Sequence, residues 1–408
     1  MTDLAAARSD RRLAVRVSRD AQRQIRGGSP WLYDGSIRSV SHDGKIGDLA
    51  VIFDDRRRFV AIGLWDPSSP IRVKILHQGK PTPIDGAFWR ERCRVAADRR
   101  ASLIESSSTD AYRWVHGEND GLPGLVVDRY RDTLVIKIYS AAWGPYLLDL
   151  IEALQDTAVE PVSRVVFRSA RSVSIGIDDG TTLVGTPPDG PIRFVERGLE
   201  MEADVVRGQK TGHFLDQRDN RAMVRSMSSG RRVLDVFAST GGFALSAAAG
   251  GARSVHLVDQ SAPALATAQR NFDANRAIAE VNQCAVEMTV GDAFDVLERL
   301  NSVGESYDLV IVDPPSFASN RATIGRALAA YGRLTRLALG VLEPGGRLVQ
   351  ASCSSRVGTD EFVSTVMRSA SSTGRRLVEF RRTGHGVDHP IGFEHGAYLD
   401  CIVLDDLG

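Results

Sequence analysis

Residues 231–260 read RRVLDVFASTGGFALSAAAGGARSVHLVDQ: a strand, a glycine turn, a helix and a second strand. The run 233–237 is short and apolar, of the type buried in a parallel sheet. Thr240, Gly241 and Gly242 break it, and small residues carry a helix over 243–249. The second strand, 254–258, ends in Asp259. Glycines let a backbone approach a ligand closely at the carboxyl edge of such a sheet, and an acid at the tip of the next strand can accept hydrogen bonds from a ribose. This βαβ unit is therefore expected to hold a molecule carrying a nucleoside. The turn lacks the three-glycine spacing that seats a pyrophosphate and the Gly-Lys-Ser/Thr that seats a triphosphate. S-adenosylmethionine, a sulfonium without phosphates, fits better, while purely structural glycines stay open as the alternative for this stretch alone.

Downstream the alternation continues: helix 262–276, strand 286–290, helix 293–300, the strand in YDLVIVDPP, helix 321–340, the strand in GRLVQASCSS and helix 359–372. This predicts an α/β, doubly wound sheet with helices on both faces. RLVEFRRTG and AYLDCIVLDD follow as strands with no helix between them, so the last must return antiparallel. One antiparallel strand near the edge of a seven-stranded parallel sheet is the arrangement of class I methyltransferases; a dehydrogenase sheet would be wholly parallel.

At 408 residues the chain is too long for one ordinary domain. No apolar run approaches the roughly 18 residues that span a bilayer, and the start lacks a signal-peptide core, which places the protein in the cytoplasm. Cys93, Cys284, Cys353 and Cys401 are far apart, so neither a metal site nor a disulfide framework is indicated. A formal net charge of zero argues against coating nucleic acid by bulk electrostatics, but arginines cluster locally, over residues 1–30 and at Arg90, Arg92, Arg94, Arg99 and Arg100. Their planar forks suit phosphate; solvated surface is the competing reading.

Upstream, residues 1–10 read as a disordered tail. Short strands separated by turn signals over 12–76 suggest a small β barrel, with boundaries at 11–78. Trp31 and Trp65 there lie beside basic residues, as on RNA-binding surfaces, or in the core. An amphipathic helix within 81–105 connects to an α+β segment, the whole forming 79–195, with Cys93 as packing. The polar stretch GQKTGHFLDQRDNR, 208–221, opens the large domain, 196–408; its hydrogen-bonding groups can roof the cofactor pocket, or Asp219 simply starts a helix.

Functional groups in such sheets gather at the carboxyl ends of strands, which here means Phe237, Asp259, Asp292, Asp313 and Cys353. Asp292 suits the adenine amino group, or caps the helix that follows. Cys353, between Ser352 and Ser354, points to cytosine chemistry. C5 of cytosine is not nucleophilic until a thiolate adds to C6; methyl transfer, loss of the C5 proton and elimination follow. Arg356 and the helix starting near Thr359 are candidates for lowering the thiol pKa, and Asp313 can bond the pyrimidine N3. Buried packing is the ordinary role of a free cysteine, and it is the reading for Cys284 and Cys401.

LDVFASTGGFALSA, GQKTGHFLDQRDNR, VDPPSFA, ASCSS and Val387-Asp388-His389-Pro390, with HGENDGLPGLVVDRY and SPWLYDGSI upstream, together resemble the bacterial PUA-domain 23S ribosomal RNA cytosine-5 methyltransferases over nearly the whole chain. The resemblance implies a PUA barrel, a central α+β domain, a Rossmann-like methyltransferase domain, 23S rRNA or a large-subunit precursor as partner, and Cys353 as nucleophile with Asp313 beside it. Cofactor contacts are expected from Lys210, Thr211, Gln217, Phe237, Thr240, Gly241, Gly242, Asp259, Asp292 and Asp313. RNA contacts are expected from Arg23, Arg26, Trp31, Pro314, Ser316 and His389. Ser316 departs from the basic residue the family often has after Asp-Pro-Pro, and His389 can instead fix its loop. Methylation of a purine nitrogen by the same fold, and a non-catalytic RNA-binding assembly factor, are the competing functions; self-association as a homodimer is left open.

Overall fold

The computed structural model describes residues 12–318 and 321–408, Arg321 as backbone only. The tail expected over residues 1–10 lies outside the described residues. The chain divides into two compact units. The first is residues 1–195 with Ala203–Leu215 and Val387–Gly396; the second is Glu196–Glu202, Asp216–Gly386 and Ala397–Gly408. The sequence reading drew boundaries after residues 78 and 195; the structure holds both upstream segments in the first unit and returns two later segments to it.

In the first unit a six-stranded sheet runs, in spatial order, Trp31–Tyr33, Ile71–Gln78, Phe59–Trp65, Leu49–Phe53, Leu13–Val17 and Ile37–Val40. Leu13, Val15, Ile52 and Val73 fill its core, and Trp65 is buried. A helix not expected from the sequence, Arg19–Arg26, is capped by Ser18 and buries only Ala21, Gln22 and Ile25. A five-stranded sheet follows, Thr182–Val184, Arg164–Ser169, Thr133–Ile138, Leu125–Tyr130 and Ala111–His116. The expected amphipathic helix is Gly86–Asp98; Asp85 caps it and Trp89, Cys93, Ala96 and Ala97 face inward. Ile62, Leu64 and Leu76 of the barrel share one apolar core with Trp89, Trp114 and Trp143, so barrel and middle segment are a single body.

The arginine cluster proves to be internally paired. Arg100 is fully buried and meets Asp120 at 2.7 Å; Arg99 reaches Asp120 at 2.9 Å, and Arg94 pairs with Glu91 and Asp98. Arg113 holds Asp128 through two bonds of 2.8 and 3.0 Å. The two late segments join this network. The Thr211 hydroxyl bonds Asp128, Asp388 accepts the Arg113 backbone N–H at 3.0 Å, and the Gly392 N–H donates to Asn119 at 2.7 Å.

The second unit is built from α1 (Arg218–Ser226), β1 (Arg232–Val236), α2 (Gly242–Ala249), β2 (Ser254–Asp259), α3 (Ala262–Ala274), β3 (Ala285–Val290), α4 (Ala293–Ser302), β4 (Tyr307–Val312), α5 (Ile324–Gly340), β5 (Leu342–Ser352), α6 (Thr359–Ser371), β6 (Leu377–Thr383) and β7 (Asp400–Asp406). The sheet order is β3-β2-β1-β4-β5-β7-β6, and β7 runs antiparallel to both neighbours. This is the class I methyltransferase sheet that the alternation predicted. Strands β1 and β4 are apolar and buried along their length because helices cover both faces. All carboxyl ends of the parallel strands open on one edge.

Candidate active site

Between β1 and α2 the chain passes through three left-handed residues, Phe237 (φ 66°), Ser239 (φ 49°) and Gly241 (φ 75°). Two of these carry side chains, a strained arrangement of the kind found at ligand sites. A Cβ at Gly241 would also stand 2.8 Å from that of Ala268, and one at Gly242 would stand 2.9 Å from Cδ of Arg221. The glycines therefore serve packing as well as access. The Thr240 carbonyl is held by Asn271 at 2.9 Å.

Four acids surround this turn. Asp235, 1% exposed, accepts the Ala244 N–H at 2.9 Å through Oδ2, while its buried Oδ1 has no partner. Burial pushes its pKa up to about 7, opposed by the Ala244 N–H and reinforced by the charges of Asp313 and Asp259. Asp259 accepts the N–H groups of Ser239 and Ser261, each at 2.8 Å, one on each oxygen. Each oxygen keeps a second lone pair for a ribose hydroxyl. Asp292 caps α4 through Oδ1, so the capping role is realised, and its exposed carboxylate retains Oδ2 for a ligand. A cluster of carboxylates with a buried, unpaired oxygen fits a nucleoside that carries sulfonium and ammonium charges; a pyrophosphate would be repelled.

Asp313 leaves β4 beside Cys353 at the end of β5: Sγ lies 3.7 Å from Oδ1. One neighbour of the thiol is thus an acid; the sequence reading looked to Arg356, which is exposed, and to the helix starting near Thr359. Cys353 is partly exposed, whereas burial pushes the thiols of Cys93 and Cys401 up to about 12 and that of Cys284 up to about 11. Ser352 is fixed by Tyr331 at 2.9 Å. Pro314 is buried and Ser316 exposed on the loop that follows. Gln217, expected on the cofactor, donates to Asp313 Oδ1 at 2.9 Å and accepts from Asn220. Asp235 and Asn220 were not among the sequence candidates. The signal for Asp235 was its place one strand end from Asp259; Asn220 gave none beyond the polarity of its stretch. A cavity of about 370 Å³ in the same unit, lined by Met223, Arg231, Arg347 and Phe380, includes none of these groups.

The remaining candidates belong to the first unit. Lys210 stands 4.5 Å from the Phe214 ring, and Thr211 is 1% exposed. Arg23 and Arg26 are exposed on their helix and pair with Asp20 and Asp54. Trp31 donates to Glu118 at 3.0 Å and packs edge-on against Phe393. His389 has no exposed surface; its Nδ1 lies 3.0 Å from Asp388 and its ring 5.0 Å from His116. A ring so enclosed cannot meet RNA, which corrects that expectation in favour of the loop-fixing role.

Residues 178–384 match the S-adenosylmethionine-dependent methyltransferase family and residues 15–78 the PUA-like domain. The chain is 44% identical over 410 residues to a ribosomal RNA large subunit methyltransferase of Deinococcus radiodurans, covering 98% of this chain and 99% of that one. It is 33% identical over 376 residues to ribosomal RNA large subunit methyltransferase I of Klebsiella pneumoniae, covering 91% and 92%. Among solved structures, a protein of Streptococcus mutans assigned as a SAM-dependent methyltransferase superposes with TM-score 0.81 at 20% identity over 96% of this chain and 99% of that one. SMU.776, assigned as a methyltransferase and bound to S-adenosylhomocysteine, gives TM-score 0.82 at 20% identity over 97% and 99%.

Proposed function

The chain belongs to the S-adenosylmethionine-dependent methyltransferases with a PUA-like domain, and from that premise we propose that it methylates C5 of a cytosine in large-subunit ribosomal RNA through a covalent bond from Cys353 to C6. The observation that carries the reading is the partly exposed Cys353 thiol 3.7 Å from Asp313 at the edge where the family binds its cofactor. Ribosomal RNA as substrate rests on the names of the relatives, and a cytoplasmic site of action is part of the same reading.

When bound, S-adenosylmethionine supplies an electrophilic methyl group. Asp259 would hold its ribose and Asp292 its adenine amino group, with Asp235 adding negative charge beneath. The chain's own groups do the rest. Asp313, ionised, takes the proton of Cys353 as Sγ bonds C6 and the C5–C6 double bond opens; the proton passes to N3, which gathers the displaced electrons. C5 is then enamine-like and takes the methyl group. Loss of the C5 proton to water and departure of Sγ restore the ring, and the N3 proton returns through Asp313 to sulfur.

The test is incubation of the protein with labelled S-adenosylmethionine and undermodified ribosomal RNA, followed by nucleoside analysis. Label in 5-methylcytidine that disappears in Cys353→Ala supports the reading; label in a purine, or activity surviving in that variant, overturns it.

A further inference from the structure

Thr383, Asn220 and Gln217, remote in sequence, form a file of side chains behind Asp313. The Thr383 hydroxyl donates to Asn220 Oδ1 at 2.6 Å, Asn220 Nδ2 donates to Gln217 Oε1 at 2.5 Å, and Gln217 Nε2 donates to Asp313 Oδ1 at 2.9 Å. Gln217 and Asn220 are each 1% exposed, so water cannot readily replace either partner.

Every donor in the file points toward Asp313, and the direction has a cause. An ionised carboxylate only accepts, so Gln217 must offer its nitrogen, which turns its carbonyl to Asn220 and the Asn220 carbonyl to Thr383. At the far end Thr383 also bonds the Cys401 thiol, which burial keeps protonated.

Several titratable groups stand near Asp313. Cys353 faces it from the end of β5, Asp235 from β1, Cys401 from β7 and Tyr331 from α5, each acidic in kind. Arg221, on α1, offsets Asp235 while engaged with Glu196 at 2.6 Å. We propose that Gln217, backed by Asn220 and Thr383, is a positioning residue that fixes the orientation of Asp313 and holds it ionised, ready to take the Cys353 proton. The proposal rests on the C5 reading above for the identity of that proton transfer.

The experiment is the pH profile of kcat/KM for methyl transfer to an rRNA fragment, with S-adenosylhomocysteine affinity and thermal stability measured beside it. Removing a donor from a carboxylate raises its pKa, and the active form is the ionised one, so the acid limb must move to higher pH. Gln217→Met is expected to move it up by about one pH unit. Thr383→Val should give a smaller shift of the same sign, and Thr383→Ser, which keeps the hydroxyl, should restore the wild-type limb. S-adenosylhomocysteine affinity should stay within about twofold, since a positioning bond contributes nothing to ground-state cofactor binding. If Gln217→Met does not fold, the Val and Ser pair at Thr383 still decides. An unmoved limb in 5-methylcytidine formation overturns the proposal and leaves the C5 reading standing, as does cofactor affinity lost with the limb in place. If the wild type labels another nucleoside, the C5 reading falls and the limb is scored on that product, because Asp313 faces the base in either reaction.

Discussion

In the first unit the side chains of Arg100 and Asp120 are 0% and 1% exposed and meet at 2.7 Å; in the second, the buried Asp235 keeps one oxygen unpaired, and Cys353 meets an acid. The first arrangement matches each buried charge with its opposite and extra hydrogen bonds, as a structural network must. The second gathers acidic groups and leaves one buried carboxylate oxygen of Asp235 unpaired. Such a surplus is tolerable where a cationic ligand supplies the balance, and it marks the site more plainly than any single residue does.

Four experiments break or sharpen this contrast, the largest effect first. Cys353→Ser should lower methyl transfer more than about 10³-fold with cofactor binding intact; a milder loss would return the thiol to packing. Asp120→Ala should cost about 3–5 kcal/mol of stability by stranding Arg100, read as a fall in unfolding midpoint, with the turnover of the folded fraction preserved. A near-normal midpoint would show that the network is not as enclosed as it looks.

Asp235→Asn separates the two regions by pH. An acid whose folded pKa is raised to about 7 from 3.8 gives the native state more protons than the unfolded one between those values, so stability falls as pH rises through that window, by a few kcal/mol in all. The asparagine variant should lose that slope. Cofactor binding to the wild type near pH 7 should release protons, visible as a dependence of the calorimetric heat on buffer; a buffer-independent heat would count against charge balance by the ligand. The smallest effect is on labelling. At pH 8 iodoacetamide should modify Cys353 in the native protein while Cys93, Cys284 and Cys401, with pKa values pushed up to about 12, 11 and 12, stay untouched until unfolding.

The sheet was legible because β1, β4 and the helices between them alternate with clear periods, and the place of Cys353 followed from its strand end. The helix Arg19–Arg26 was not, because RDAQRQIR buries three side chains and shows no apolar stripe. Arg90 to Arg100 looked like a phosphate surface because a sequence lists the arginines without Asp120 and Asp98 across from them. Lys210 and Thr211 share a stretch with Gln217, yet the stretch divides between the units within a few residues. Gln217 was singled out for its polar stretch, but the carboxylate it bonds lies 96 residues away, and the Asn220 to Thr383 bond spans 163. Polarity shows in sequence; the partner that satisfies it does not.

Strand β7 lies between β5 and β6, although β6 precedes it in the chain. During synthesis, which proceeds from the amino end, β5 carries Cys353 beside an open edge until Asp400–Asp406 emerge. Val387–Gly396, which complete the first unit, also arrive only then. A nascent chain halted at residue 386 therefore has two unfinished bodies, exposed strand edges that invite mispairing, and no assembled catalytic edge. Both bodies, and the edge that carries Cys353, are completed only once Val387–Gly396 and Asp400–Asp406 have been made.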